Sequence, residues 1–236
     1  MESSISIETR NTRSRSRLAG GRHGLCIVGF GESRLTWESE EYDETWAIND
    51  VVRITPGLKP DIIVAMDDWE RDNRIDPDYV SFISGLNVPV VSSAAYPKWP
   101  CLTAYPLKAV IAFIGYDRCF DNSICYAFAL ALFLRKFGEI TLLGCDFWTK
   151  DDGKAIRATK KAVGKRYGAV PEWFKYYQPV ITRGRRLTEP GGDSLSLLIG
   201  LSAAHQIKVF IPKGTRLLNL DRDRYFYGYT KQPELR

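Results

Sequence analysis

The chain has no run of about 18 apolar residues, the length a helix needs to cross a bilayer. Its longest apolar stretch, Ile124 to Leu134, suits a buried helix. The first residues are polar and lack an apolar core, so neither a membrane span nor a secretory signal is expected. Histidine is scarce: His23 and His205 are the only two, far apart in the sequence, which argues against a zinc site. The five cysteines (26, 101, 119, 125 and 145) are odd in number and scattered, with no CxxC pair. That disfavours a disulfide framework and leaves buried reduced thiols in a cytoplasmic protein as the expectation. The dinucleotide fingerprint GxGxxG is also missing. The loop after the first apolar run reads GFGES, with Arg34 at the last glycine position and Asn49 where an acidic ribose ligand would stand. A standard NAD dehydrogenase is therefore disfavoured.

What is present is a chain of 236 residues, 44% hydrophobic, enough for one globular domain. Net charge is +5, and it is unevenly spread. Residues 1–23 carry arginines at 10, 13, 15, 17 and 22 among Ser, Thr, Asn and Gly, the composition of a flexible basic arm. Between Lys150 and Arg186 stand eleven Lys/Arg against three acids. A local excess of that kind points to a polyanion, either substrate phosphates or a nucleic acid backbone, although an ordinary solvated face has the same composition. The domain organisation expected is a basic arm over 1–23 and a single Rossmann-like domain over 24–236, with 150–190 as a lid.

Short apolar runs predict strands at Leu25–Val28, Thr45–Ile48, Asp61–Met66, Val88–Ser92, Ile140–Leu143 and Lys208–Ile211. Helices are expected at Pro77–Gly85, at Ser123–Phe137 with Gly138 as C-cap, and at Asp193–His205. A polar helix or loop is expected around 34–42, and the proline-rich stretch 97–106 reads as irregular. Strands alternating with helices give an α/β fold with a doubly wound, mostly parallel sheet. Polar clusters follow the strands: Gly29, Gly31 and Ser33 after the first, Asn49 and Asp50 after the second, Asp67 and Asp68 after the third, and Gly144 with Asp146 after Ile140–Leu143. In a parallel sheet those ends share one edge, where open α/β folds bind ligands.

Gly29 and Gly31 would let backbone approach a ligand and permit positive φ. Ser33 would cap the next helix or donate to phosphate. A plain strand-to-helix turn accounts for the same loop. Asp67 and Asp68 are candidates for a divalent metal, Mg²⁺ or Mn²⁺, on a pyrophosphate.

VGFGES, WAIND, NSICYAFALALFLRKFGEITLLGCDFW and DSLSLLIGLSAAHQIKVFIPKGTRLL, in that order over roughly residues 24–220, together resemble the small single-domain bacterial sialyltransferases and their relatives. Those relatives include phage-encoded proteins of the same layout and archaeal-type hydroxymethylpterin pyrophosphokinases. The resemblance implies a nucleotide loop at Gly29, Gly31 and Ser33. It also implies nucleotide contacts from Asn49, phosphate at Ser123 on a helix N-terminus, and a pocket lined by Gly144 and Asp146. In the place of the family's lid stand Tyr167, Tyr176 and Tyr177, candidates for the donor phosphates, with Arg183, Arg185 and Arg186 as cationic partners. The family's general-base histidine has no counterpart in RRLTEPGGDS. Glu189, Asp193 and the edge carboxylate Asp146 are then the candidate bases. The activity implied is transfer from a sugar nucleotide (a CMP- or UDP-sugar) to an anionic acceptor, modified DNA bases among them. Two alternatives are a Mg²⁺-dependent pyrophosphokinase and a protein that sequesters a nucleotide without turnover. No membrane partner is expected, and a homo-oligomer stays open.

Overall fold

A computed structural model describes residues 23–38, 42–67, 69–70, 77–145, 152–172, 174 and 194–211. Seven strands form one parallel sheet: β1 (Gly24–Val28), β2 (Glu44–Ile48), β3 (Ile62–Ala65), β4 (Val90–Ser92), β5 (Leu102–Ala104), β6 (Glu139–Leu143) and β7 (Lys208–Phe210). Their order is β5-β4-β3-β2-β1-β6-β7, with every neighbouring pair parallel. The helices are α1 (Val51–Ile54), α2 (Pro77–Gly85), α3 (Leu107–Ile114), α4 (Ser123–Leu134), α5 (Asp152–Tyr167) and α6 (194–204). A short 3₁₀ turn spans Glu32–Thr36.

The strands are short and apolar on both faces because both faces are covered. Leu25, Ile27, Trp46, Ile48, Ile62, Val64, Ile140 and Leu142 point to one layer, shared with α4 and with Leu195 and Leu198 of α6. Cys26, Val28, Ala47, Ile63, Ala65, Val90 and Leu143 alternate to the other layer, against α1, α2 and α5. The chain steps outward from β1 to β5. It then crosses back through α3 and α4 to lay β6 on the far side of β1. A right-handed crossover places helices on opposite faces for opposite directions of travel, which is why the two layers exist. The reversal leaves a topological switch point between β1 and β6.

The structure adds elements that the residues alone did not suggest. The stretch 97–106 is not wholly irregular, since it contains β5, and Pro106 is the N-cap residue of α3. The region 34–42 contains only the 3₁₀ turn among its described residues. Helix α4 stops three residues early. Arg135 takes the left-handed C-cap conformation at φ 53°. Gly138 is instead spliced into the sheet, its N–H donating to His23 O (3.0 Å) and its carbonyl accepting from Lys208 N (3.0 Å).

At the amino edge of the sheet Glu44 is buried and fully engaged. It accepts from Trp46 Nε1 at 2.7 Å and from Lys136 Nζ at 2.8 Å. That ties β2 to the segment between α4 and β6, opposite the end where ligands are expected.

Candidate functional site

The site begins with the loops that end β1 and β6. Gly29 N donates to Leu143 O (2.7 Å), and Gly31 N donates to Gly144 O (2.6 Å). Gly144 N donates to Ser33 Oγ (2.7 Å). The two loops are clasped backbone to backbone. This contact explains the glycines better than backbone flexibility does. Gly31 has an ordinary φ of −62°, and positive φ among these loop glycines belongs to Gly144 (φ 62°). A Cβ on Gly29 would lie 2.5 Å from Gly144 O and 3.4 Å from Ile124 Cδ1. A Cβ on Gly144 would collide with Gly29 O. Ser33 does not cap a helix; its hydroxyl oxygen receives the Gly144 amide.

Beneath this clasp Arg34 is fully buried. Its Nη1 donates to Phe30 O (2.6 Å) and Gly31 O (2.9 Å) and fixes the loop from inside. In the fingerprint comparison Arg34 merely replaced a glycine. In the structure it holds the loop.

Helix α4 enters at the same edge. Asn122 Oδ1 accepts from Ile124 N (3.0 Å) and Cys125 N (3.1 Å), a double N-cap. Those bonds fix which way the amide points, and its Nδ2 is then buried with no partner. Ser123 is the first residue of α4 and is partly exposed. Because Ile124 lies against Gly29, the α4 N-terminus meets the end of β1 directly. Its neighbour α6 begins at Ser194, whose hydroxyl bonds the Asp121 carboxylate.

Next to β1, the end of β2 carries Asn49 and Asp50. Asn49 sits at φ 50°, a left-handed conformation that asparagine tolerates, with its N–H on Val64 O (2.9 Å). Its Oδ1 is buried with no partner. Asp50 is 7% exposed and is the N-cap residue of α1, yet its side chain makes no capping bond. One strand over, Asp67 follows β3, its carbonyl accepting from Ser93 Oγ (3.3 Å). Behind them Tyr79 of α2 is 5% exposed, and its hydroxyl is buried with no partner. The Tyr79 pKa stands well above that of a free phenol. Burial is the larger cause, and the charges of Asp50 and Asp67 add to it. Trp69, Tyr96 and Trp99 pack around this corner.

The structure therefore brings Gly29, Gly31, Ser33, Asn49, Ser123, Gly144 and Asp67 to one edge of the sheet. Tyr167 is placed elsewhere. Its hydroxyl donates to Arg53 O (3.0 Å), and Arg166 Nη1 donates to Val52 O (2.6 Å) and Thr55 O (2.9 Å), so the end of α5 is fastened to the end of α1. Asp68, Asp146, Tyr177, Arg185, Glu189 and Asp193 lie outside the described residues. Asn122 and Tyr79 were missed by sequence reasoning. Asn122 was legible as a capping residue before an apolar run, whereas nothing local marks Tyr79. Among the described residues no helix is long and apolar enough to cross a membrane. Comparison with known proteins finds no matching family model, curated protein or solved structure.

Proposed function

We propose that this edge binds a nucleotide, and that the protein transfers a sugar from a nucleotide donor to an anionic acceptor. One observation carries the reading: two buried side-chain atoms of opposite hydrogen-bonding character, Asn122 Nδ2 and Asn49 Oδ1, lack partners. Both stand at the ligand-binding edge of a doubly wound sheet. Buried polar groups without partners are costly, and a ligand that matches them recovers that cost. Asn122 Nδ2 is a donor beside the N-terminus of α4, which suits a phosphate oxygen. Asn49 Oδ1 is an acceptor, which suits a ribose hydroxyl. Ser123 adds a hydroxyl at the phosphate end. Because the amides of Gly29 and Gly31 are engaged in the clasp, the phosphate contacts come from the start of α4.

In the transfer step a carboxylate, drawn from Glu189, Asp193 and Asp146, takes the proton of the acceptor hydroxyl. Tyr177 and Arg185 stabilise the departing phosphate. Arg157, Lys160, Lys161 and Lys165 are exposed on α5. They favour an anionic acceptor such as DNA over a neutral one. A base in a duplex would have to be extruded to reach the edge.

The test is a thermal-shift panel of CMP, UDP, GDP and ADP with their sugar conjugates. A ligand at 100 times its dissociation constant adds about 2.7 kcal/mol of stability. A CMP- or UDP-sugar that stabilises the protein, but not Asn49→Leu, supports the site. A sugar nucleotide consumed only when an acceptor is present supports transfer. Binding without turnover would favour sequestration, and pyrophosphate transfer from ATP would favour the pyrophosphokinase. No stabilisation by any nucleotide refutes the reading.

A further inference from the structure

We propose that the exposed face of α5 docks duplex DNA along its phosphate backbone, beside the candidate site. Arg157, Lys161 and Lys165 stand four residues apart and share one side of the helix, with Lys160 next to them, and all four are exposed. The opposite side faces the protein. Val163 is fully buried, Arg166 Nη1 donates to Val52 O and Thr55 O, and the Tyr167 hydroxyl donates to Arg53 O. The helix is therefore held with its row of cations outward. It packs on α1 and on the 3₁₀ turn Glu32–Thr36, the elements that leave the carboxyl ends of β2 and β1. A polyanion lying along the row runs beside the edge that carries Gly31 and Asn49.

The row differs from an ordinary solvated helix face. Such a face mixes signs, because an acid four residues from a lysine supports the helix and a second cation there opposes it. Residues 153–171 hold Lys or Arg at 154, 157, 160, 161, 165 and 166 and no Asp or Glu. Among the described residues none of Arg157, Lys160, Lys161 and Lys165 has an acidic partner. The helix thus stacks like charges at both four-residue steps, which costs stability until an anion neutralises them. From Arg157 to Lys165 the row is about 12 Å long at about 1.5 Å per residue, a length over which duplex DNA presents about seven phosphate charges. An anionic membrane fits less well. Helices that lie on membranes bury an apolar face in the lipid, whereas Val163, on the apolar side of α5, is buried in the protein. Contacts of this kind hold the backbone and read no base sequence.

The inference deepens the proposed function and rests on it only for DNA being the acceptor; docking itself is tested without nucleotide. A fluorescein-labelled duplex of about 20 base pairs is titrated with the full-length protein, and anisotropy is read from about 50 to about 200 mM salt. In Arg157→Gln/Lys161→Gln/Lys165→Gln the slope of log affinity against log salt should shrink by about three, one for each phosphate contact removed. Over that salt range the variant should then lose about 40-fold less affinity than wild type. Binding should weaken alike for unrelated duplex sequences. The control Lys108→Gln/Arg135→Gln/Lys208→Gln removes the same charge from α3, the end of α4 and β7, and should leave the slope nearly unchanged. Wild-type protein that binds no duplex at about 50 mM salt overturns the proposal. So do equal slopes in the α5 variant and wild type, or equal losses in the α5 variant and the control. Vesicles containing phosphatidylserine are the second probe: an α5 variant that loses the vesicles but keeps the duplex assigns the face to a membrane and overturns the proposal. Without DNA, Tm should not fall in the α5 variant; a fall would show that the cations are paired within the protein and would overturn it too. Adding the nucleotide panel separates the two readings. Duplex docking through α5 with no nucleotide binding refutes only the sugar-nucleotide site, and nucleotide binding with a duplex indifferent to α5 refutes only the docking face.

Discussion

The clasp between the β1 and β6 loops makes a quantitative claim about Gly144. Replacing it with alanine imposes two costs. A side chain at φ 62° is strained by about 1 kcal/mol. The new Cβ also meets the backbone oxygen of Gly29, which cannot swing aside as a flexible side chain could. The loops must separate, and the bonds Gly29 N–Leu143 O and Gly31 N–Gly144 O are lost. At about 1 kcal/mol each, these bring the expected total to about 3 kcal/mol. The structure supplies its own control. Gly57 is also left-handed, at φ 78°, but nothing lies within 4 Å of the position its Cβ would take. Gly57→Ala therefore carries the strain alone, about 1 kcal/mol. In a chain of this size 1 kcal/mol is worth about 2–4 °C, so Gly144→Ala should lower Tm by about 6–12 °C and Gly57→Ala by about 2–4 °C. Urea unfolding of both variants at equal m values gives the difference directly. Native-state hydrogen exchange adds a second readout, since the Gly31 amide should be protected without any ligand and exposed in Gly144→Ala. Equal losses in the two variants would refute the clasp and return the glycines to the role of an open phosphate loop.

Other expectations follow from single contacts. Asn122→Ala removes a cap that accepts two amides of α4 and should cost about 1 kcal/mol in urea unfolding, while the same change weakens whatever nucleotide the panel identifies. Tyr79→Phe deletes a buried hydroxyl with no protein partner, so the protein should gain up to about 1 kcal/mol; a loss of that size would mean the hydroxyl is bonded after all. Alkaline pH should destabilise the fold. Burial pushes the Cys125 thiol up to about 12 from an ordinary value of 9.0, and pushes Tyr105 up as well. A raised native pKa means that the protonated form is favoured by folding. The stabilisation is therefore complete below about pH 9 and is lost as pH climbs toward 12. Urea midpoints at pH 8, 10 and 11 should fall in that order, and a flat series would contradict the burial of these groups.

The strands were legible because both faces of this sheet are covered. LCIV and IIVA are uninterrupted apolar runs, TWAI and ITLL carry a single threonine each, and each run begins or ends within a residue or two of the observed strand. Helix α2 was legible from its proline start and terminal glycine. β5 was not, because it has three residues and lies among Pro97, Pro100 and Pro106. α3 was not, because LKAVIAFI is a mostly apolar run of eight residues, short enough to pass for a buried strand. The C-cap of α4 was misplaced because a glycine was the natural stop, and Arg135 took the left-handed position instead.

The site divides along the same line. Residues were assigned to the edge by position after a strand, which is local information. Their partners depend on contacts across the chain. Gly29 and Gly144 are 115 residues apart in sequence, and no local pattern shows that each is small because of the other. The same holds for Tyr79, which reaches the ends of β2 and β3 from a helix whose own pattern reads only as amphipathic.

This has a consequence for where a ligand would sit. In a doubly wound sheet the crevice at the switch point opens because crossovers leave β1 in opposite directions. Here its floor is filled by backbone: the β1 and β6 loops bond each other, Ser33 rivets them, and Arg34 braces them from below. The unmatched polar atoms lie to either side. Asn122 Nδ2 belongs to the start of α4, on one face of the sheet. The Tyr79 hydroxyl belongs to the layer of α1 and α2, on the other. Asn49 lies at the end of β2 itself, next to β1. A ligand that satisfies all of them must straddle the edge, with its phosphate toward α4 and its far end toward β2 and β3. The sugar nucleotide proposed above offers a phosphate oxygen for Asn122 and a ribose hydroxyl for Asn49. A lone phosphate, or a small acid bound at the glycines, would leave Asn49 and Tyr79 unsatisfied.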